Sequence, residues 1–268
     1  MMSEGSDLTA QQGWQVPAHD THVFREKRAE HALVIPVINE GEKIRAQLRA
    51  FAAAGLPVDL VMADGGSSDG SLDGGILAEC DARALLVKTG PGKLGAQLRM
   101  AYAWCLQEGY AGIVTMDGNG KDDVTHVRRF LAALEAGADY VQGSRYAPGG
   151  AAINTPRDRS FGNRMIHAPI LSLAARRRLT DTTNGFRAYS RRYLLDPRVA
   201  PFRDLFQRYE LLFYLTVRAG QLGYRIAEVP VSRRYPDQGK IPTKIAGWRG
   251  KADILAQTLK AALGRYAP

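Results

Sequence analysis

The chain has 268 residues, 45% of them hydrophobic and 24% charged, which suits one α/β domain with a buried core and short appendages. Its net charge of +9 favours anionic partners without choosing among nucleotide diphosphates, lipid phosphates, acidic membranes and nucleic acid. The two cysteines, Cys80 and Cys105, lie in helix-like patterns and argue against a disulfide framework. With no run of about 18 apolar residues and no basic-then-apolar leader, the expected location is cytoplasmic, or peripheral on the cytoplasmic face of a membrane.

Residues 1–29 are polar, lack a sustained period and read as a flexible N-terminal arm. Ala32-Leu33-Val34-Ile35-Pro36-Val37 is an apolar run typical of a buried parallel strand. From Glu42 to Ala54, Ile44, Leu48 and Phe51 share a helical face, and Gly55 ends the helix. The unit then repeats, with strands over 58–63, 84–88, 112–116 and 139–142. The helices between them run toward Cys80, over 92–108 and over 124–135. This alternation predicts a mostly parallel central sheet with helices on both faces. Ligands of such sheets bind beyond the carboxyl ends of the strands.

The second half is less regular. A basic helix is expected over 161–176, a loop or strand over 181–189, a helix over 202–220 and a strand over 224–231. From Thr243 to Leu263, Ile245, Trp248, Ile254, Leu255, Leu259 and Leu263 oppose Lys244, Arg249, Lys251 and Lys260. That basic amphipathic helix either lies on a membrane surface or packs on the domain. The expected organisation is an arm over 1–29, an α/β domain over 30–241 and a C-terminal helix over 242–268.

Three strand ends carry polar residues. Asn39 and Glu40 follow the first; a carboxylate there can bind a ribose or base, or cap the next helix. In Asp64-Gly65-Gly66-Ser67-Ser68-Asp69-Gly70 the glycines permit close approach of backbone to ligand. Asp64 can accept from a base edge and Ser67 or Ser68 can cap a helix, although an ordinary turn has the same composition. The oxygens of Asp117-Gly118-Asn119-Gly120-Lys121-Asp122-Asp123 suit Mg2+ or Mn2+, which would in turn bind a diphosphate; a loop capped by Asp122 or Asp123 is the alternative.

Taken in order, Ile35-Pro36-Val37-Ile38-Asn39-Glu40, Asp64 to Gly70 and Met116-Asp117-Gly118-Asn119 resemble the signatures of glycosyltransferase family 2 and its GT-A fold. Gly92-Lys93-Leu94-Gly95-Ala96-Gln97 resembles the start of the donor-side helix. Gly143-Ser144-Arg145-Tyr146 and Asp181-Thr182-Thr183-Asn184-Gly185-Phe186-Arg187 resemble the dolichyl-phosphate-mannose-synthase-like branch. Tyr224 to Pro230, followed by Arg233, Arg234, Gly239 and Lys240, resembles the end of that catalytic domain, so the likeness covers about 31–241.

The resemblance implies a donor site of Pro36, Asn39, Glu40, Asp64, Gly66, Lys93, Asp117, Gly118, Asn119 and Lys121. Asp117 and Asn119 would be the metal ligands. Arg145, Arg159, Glu210, Arg234 and Lys240 would face the acceptor, and Arg187 with the 233–240 loop would close over the diphosphate. Asp117, Asp122, Asp181 and Arg187 form the expected catalytic set. Two departures stand out: Asn119 replaces the second Asp of the usual Asp-x-Asp, and Lys121 stands where Gln is frequent. An amide oxygen ligates without charge. A weakly bound cation, partly replaced by Lys121, is therefore expected.

The implied reaction is an inverting displacement from a nucleotide-diphosphate sugar. Cationic groups lower its barrier by stabilising the leaving diphosphate. A hydroxyl acceptor needs a base, for which Asp122, Asp123, Asp181 and Glu210 are candidates. A lipid phosphate needs none, and Arg145, Arg157, Arg159 and Arg164 favour such an anion. The expected acceptor is a polyprenyl phosphate, glycan or glycolipid in cell-envelope polysaccharide or glycoconjugate synthesis. Two rivals remain: a nucleotidyltransferase, which Asn39-Glu40-Gly41 matches poorly, and a non-catalytic nucleotide-sugar-binding domain, which Asn119 and Lys121 favour. Nucleic acid is not an expected partner, because no aromatic-plus-basic stacking motif is present.

Overall fold

A peptide run with no polar residue forms a strand only where other strands flank it and helices cover both faces. The computed structural model, which describes residues 13–236 and 247–268, supplies that setting. The central sheet contains β1 (His19–Val23), β2 (His31–Val37), β3 (Asp59–Asp64), β4 (Ala84–Lys88), β5 (Gly112–Thr115), β6 (Tyr140–Ser144), β8 (Arg187–Ser190) and β9 (Ile226–Pro230). Their spatial order is β1-β4-β3-β2-β5-β8-β6-β9, and β1 and β8 alone run antiparallel to the rest. A separate parallel pair joins β7 (Ala151–Ile153) to β10 (Ser232–Arg234).

Alternate residues of β2 feed two cores. Leu33, Ile35 and Val37 face α1 (Glu42–Ala54) and α4 (Val127–Glu135), meeting Ile44, Leu48, Phe51 and Phe130. Ala32 and Val34 face the opposite way, toward Leu98 and Tyr102 of α3 (Leu94–Gln107) and Leu215 of α8 (Glu210–Gln221). The short helix α2 (Gly74–Glu79) follows β3, and α7 (Arg191–Leu195) follows β8. The basic stretch forms α5 (Arg157–Gly162), which passes through a π-helical turn at Asn163–His167 into α6 (Ala168–Ala174). Ile254 and Ala261 of the final helix, α9 (Gly247–Ala262), share a small core with Leu171, Phe213 and Val217.

Two expectations need correction. The described part of the N-terminal arm is ordered: β1 pairs with β4 at the sheet edge, and Trp14 lies against Phe202 with ring centroids 4.1 Å apart. His-Asp-Thr-His-Val escapes a periodicity reading because an edge strand is held by its backbone and keeps polar side chains toward water. The helix expected over 202–220 starts at Glu210, not Phe202. Glu210 Oε1 accepts from Gln207 N at 2.6 Å and Arg208 N at 2.9 Å, which fixes the preceding residues as a loop.

Helix α8 crosses close over the end of α6, and a Cβ at Gly220 would overlap the Ala175 carbonyl. We expect Gly220→Ala to lower the melting temperature by roughly 3–10 °C, the overpacking cost of about 1–3 kcal/mol. Thermal unfolding by circular dichroism checks this; an unchanged midpoint would mean the helix can shift freely.

Candidate active site

Parallel pairing fixes which loops meet. Val37 lies opposite Asp64 and Val34 opposite Thr115, so the loops after β2, β3 and β5 leave the same rim of the sheet. Backbone bonds carry the register past the strands: Gly65 N donates to Val37 O at 2.8 Å, Met116 N to Val34 O at 3.1 Å and Gly118 N to Pro36 O at 3.3 Å. One amide from each face braces the rim. Gln97 of α3 donates to Val37 O at 2.8 Å and also to Ala63 O. Gln47 of α1 donates to Asp117 O at 3.0 Å and accepts from Gly120 N at 2.8 Å.

The first two loops are bonded to each other. Ser67 N and Oγ donate to Asp64, the hydroxyl at 2.6 Å, and Ser67 Oγ accepts from Asn39 N at 3.0 Å. Asn39 Oδ1 accepts from Ser68 N at 2.8 Å, and Asp69 accepts from Gly41 N at 2.9 Å. Asn39 and Asp64 thus shape the rim, with Asp64 buried at its floor. Pro36 is buried in β2, Glu40 is half-buried, and Gly66 and Lys93 are exposed. Lys93 N donates to Gln207 O at 2.9 Å, anchoring the start of α3.

The third loop meets β10. Arg233 donates from Nη2 to Asp117 Oδ2 at 2.9 Å and from Nη1 to Asp122 Oδ2. Asp122 is fully buried, Arg233 is 7% exposed and Asp117 is 28% exposed, so the cluster sits at the floor of the rim with Asp117 presented outward. Burial pushes the Asp122 carboxyl up to about 6 against the pull of Arg233. Burial opposes the Arg233 charge, but Asp122 and Asp117 hold its guanidinium above the ordinary value. Lys121 lies over the Tyr235 ring at 5.0 Å, and burial, then Arg233, lower its ammonium. Arg159 faces the same ring, with Nη1 3.3 Å from the Tyr235 hydroxyl. A cavity of about 500 Å3 opens beside this loop, lined by Lys43, Gln47, Asn119, Lys121, Arg234 and Tyr235.

A divalent ion selects charged oxygens. Asp117 supplies one carboxylate, with its Oδ2 already held by Arg233, and Asn119 turns its Nδ2 toward that same oxygen at 3.4 Å. Among the described residues no group of three His, Cys, Asp or Glu side chains converges as a metal site. With Arg233 in place, Asp117 and Asn119 do not fit a cation held by the protein alone.

Several expected roles are corrected by burial. Arg187 is fully buried and donates to Asn184 O, Leu212 O, Thr182 O and Thr216 Oγ1, so it supports the loop from the core side and does not reach the rim. Arg145 is committed to Asp181, with Nε to Oδ2 at 2.6 Å and Nη2 to Oδ1 at 2.9 Å, and so is not a free acceptor cation. Burial works to raise the Asp181 carboxyl, but Arg145 and nearby N–H groups hold it below the usual carboxylate range, which makes it a poor base. Glu210 is buried beneath the 207–208 loop and offers no acceptor contact. Arg234 is exposed and binds Lys121 O through its backbone N. Lys240 lies outside the described residues. Gln47 carries no sequence signal for the site, Gly185 stands only within the Asp181 to Arg187 motif, and Arg233 and Tyr235 lie in the loop expected to close over the diphosphate. A Cβ at Gly185 would overlap Asp117 Oδ1, so this glycine leaves room for the carboxylate.

A mostly parallel sheet that gathers three polar loops on one rim, beside an arginine-rich half, defines an α/β protein of the kind that takes its ligands at the strand ends. Residues 32–196 match the family model described as Glycosyl transferase family 2, and the chain belongs to that family as a glycosyltransferase of the GT-A fold. It is 31% identical over 203 residues to polyprenol monophosphomannose synthase of Mycolicibacterium smegmatis, covering 75% of this chain and 76% of that protein. It is 32% identical over 206 residues to undecaprenyl-phosphate mannosyltransferase of Micrococcus luteus, covering 74% and 81% respectively. These relatives agree with the dolichyl-phosphate-mannose-synthase-like branch. The fold is shared with glucosyl-3-phosphoglycerate synthase from Mycobacterium tuberculosis, solved in complex with Mn2+, UDP and phosphoglyceric acid. That likeness has a TM-score of 0.63 at 16% identity and covers 98% of this chain and 82% of that one.

Removing one member of a buried pair strands the other charge. We expect Asp181→Asn to cost about 3–5 kcal/mol at pH 7, a fall in melting temperature of roughly 6–15 °C. Because the folded carboxyl lies below its unfolded value, its contribution is complete above about pH 4 and fades as pH falls through the folded value. The gap between wild type and variant should therefore narrow only in acid, as melts from pH 7 to pH 2 will show.

Proposed function

We propose that this glycosyltransferase moves a sugar from a nucleotide-diphosphate sugar, bound at the rim, to a polyprenyl phosphate, in cell-envelope polysaccharide or glycoconjugate synthesis. One observation carries the reading: none of the four candidate bases is poised to deprotonate a hydroxyl. Asp122 and Asp181 are buried against arginines, Glu210 is buried under its own loop, and Asp123 accepts from Thr125 N and Oγ1 at the start of the next turn. A phosphate acceptor arrives as an anion and needs no base. Two relatives whose names specify polyprenol and undecaprenyl-phosphate chemistry support the same acceptor class. On this reading an acceptor oxygen bonds to the anomeric carbon as the bond to the nucleoside diphosphate breaks. Asn39, Glu40 and Asp64 set the nucleoside side, and Lys121 and Arg159 supply charge toward the phosphates. A Mg2+ or Mn2+ would bind weakly and together with the donor, since phosphate oxygens must provide most of its ligands.

The acceptor side also fits a bilayer surface. No helix among the described residues is long and apolar enough to cross a membrane. Phe161, Met165 and Leu173 are 61%, 63% and 83% exposed along α5, the π-turn and α6. Arg157, Arg164, Arg176, Arg177 and Arg178 are exposed around them. Apolar residues ringed by arginine suit an interface of acyl chains and anionic headgroups. Trp248 and Leu263 near the ends of α9 are exposed as well, while the middle of that helix packs on α6 and α8.

Transfer assays with UDP- and GDP-sugars should yield product with polyprenyl phosphate and none with the matching polyprenol. Equal transfer to the neutral alcohol would refute the acceptor assignment. Met165→Glu with Leu173→Glu should reduce co-sedimentation with vesicles of anionic phospholipid by about tenfold, through lost apolar burial and added repulsion.

A further inference from the structure

A cation site is defined by the oxygens that surround it, and here those oxygens already surround a side chain. Arg233 is placed by its backbone. It forms a bridge with Asp122, and its neighbour Arg234 donates from N to Lys121 O at 2.8 Å. Its guanidinium then spans two carboxylates, Asp122 Oδ2 through Nη1 and Asp117 Oδ2 through Nη2 at 2.9 Å. A divalent ion on Asp117 would have Oδ1 as its one uncommitted carboxylate oxygen there and would meet a fixed positive charge beside it. The charge balance agrees. Asp117 and Asp122 contribute two negative charges, Arg233, Lys121 and the Arg159 beside Tyr235 three positive ones, and Asn119 adds none, so no negative charge is left for an ion to meet.

We propose that Arg233 is the resident cation of the donor site, holding the position beside Asp117 and supplying fixed positive charge toward the diphosphate, so that donor binding survives removal of divalent metal. The proposal rests on the nucleotide-sugar reading above for its ligand and on side-chain geometry for its placement. A guanidinium suits the role. It stays charged at any working pH, it is more weakly hydrated than an ammonium, and its planar fork matches paired oxygens of carboxylate or phosphate. A cation locked by two carboxylates also needs no reorganisation as charge develops on the leaving group. The sequence departures at Asn119 and Lys121 then belong with Arg233: positive charge is brought in by side chains, and the carboxylate that an ion would need is absent.

The test separates placement from ligand. Mn2+ alone is titrated into the full chain, with free Mn2+ read by electron paramagnetic resonance. Wild type should bind at about millimolar or weaker, Arg233→Gln at least about tenfold tighter because Asp117 is released, and Arg233→Lys like wild type. Micromolar binding by wild type, unchanged in Arg233→Gln, would overturn the proposal. Should Arg233→Gln fail to fold by circular dichroism, Asn119→Asp, at a half-exposed position, decides the matter. With Arg233 in place its Mn2+ affinity should rise by less than about threefold, whereas a rise of about tenfold would show a site short of one ligand and not one already filled.

In parallel, UDP and GDP binding is measured by calorimetry in EDTA and in Mn2+. Wild type should bind one of them within about threefold under both conditions, and Arg233→Gln should lose about tenfold or more in EDTA. Binding by wild type only in Mn2+ would sink the resident-cation role while sparing the nucleotide-sugar reading. Binding of neither nucleotide under either condition would sink that reading and leave the Mn2+ titration to judge the placement of Arg233.

Discussion

A charge removed from water must find an opposite charge or a full set of hydrogen bonds, or the fold loses several kcal/mol. Much of the second half of this chain follows from that constraint. Arg145 and Asp181 close on each other, and Asn163 Nδ2 also donates to Asp181 at 2.9 Å, tying the strand end at β6 to the π-helical turn. Arg187 finds three backbone carbonyls and a hydroxyl, binding the 182–184 loop to α8. Arg233 finds Asp117 and Asp122, binding β10 to the loop after β5. These pairings add polar ties between two halves that already share apolar cores, Tyr102 and Leu98 meeting Tyr189 and Leu215 on one face of the sheet and Phe130 stacking on Phe186 on the other. They also seal Arg145, Asp181 and Arg187 in the interior, whereas the Arg233 cluster stays at the rim beside the partly exposed Asp117.

The donor half was legible because its signals are local. A strand with neighbours on both sides reads as an apolar run, a helix reads as a 3.6-residue stripe, and β2, α1, β3 and β4 all carry such patterns within two residues of their observed limits. Motif order then gave the rim, since parallel strands separated by helices must end on one edge. The acceptor half was less legible because its organisation is long-range. β8 inserts antiparallel between β5 and β6, and nothing in Arg-Ala-Tyr-Ser announces which strands it will separate. Identity also fails to report burial. Arg187 and Arg159 look alike in sequence, yet one is sealed against carbonyls and the other lies beside Tyr235 at the site.

Burial changes the chemistry inferred for the carboxylates as well. An acid near the acceptor looks like a base when its surroundings are unknown. Once Asp122, Asp181 and Glu210 are placed, each already serves a partner within the protein: a guanidinium for the first two and backbone N–H groups for the third. A site whose acids are thus engaged suits an acceptor that brings its own negative charge. The exposed apolar residues along α5 and α6 point the same way, because a soluble phosphate would give no reason for Phe161, Met165 and Leu173 to face water.

The donor rim follows the same charge logic from the opposite side. Bringing a diphosphate to a strand-end rim requires positive charge, and that charge comes from an ion, a helix terminus or a side chain. An ion is reversible and needs carboxylates kept free for it; a guanidinium is permanent and needs those carboxylates as its own partners. Arg233 already binds one oxygen of each of Asp117 and Asp122, so an ion would have to share those carboxylates with a fixed positive charge. Replacing an acid by Asn119 removes a charge that a resident arginine has no use for. The position of Arg233 on a strand bonded to the loop it neutralises makes the choice structural: the cation is folded into the site with β10 instead of being recruited when donor binds.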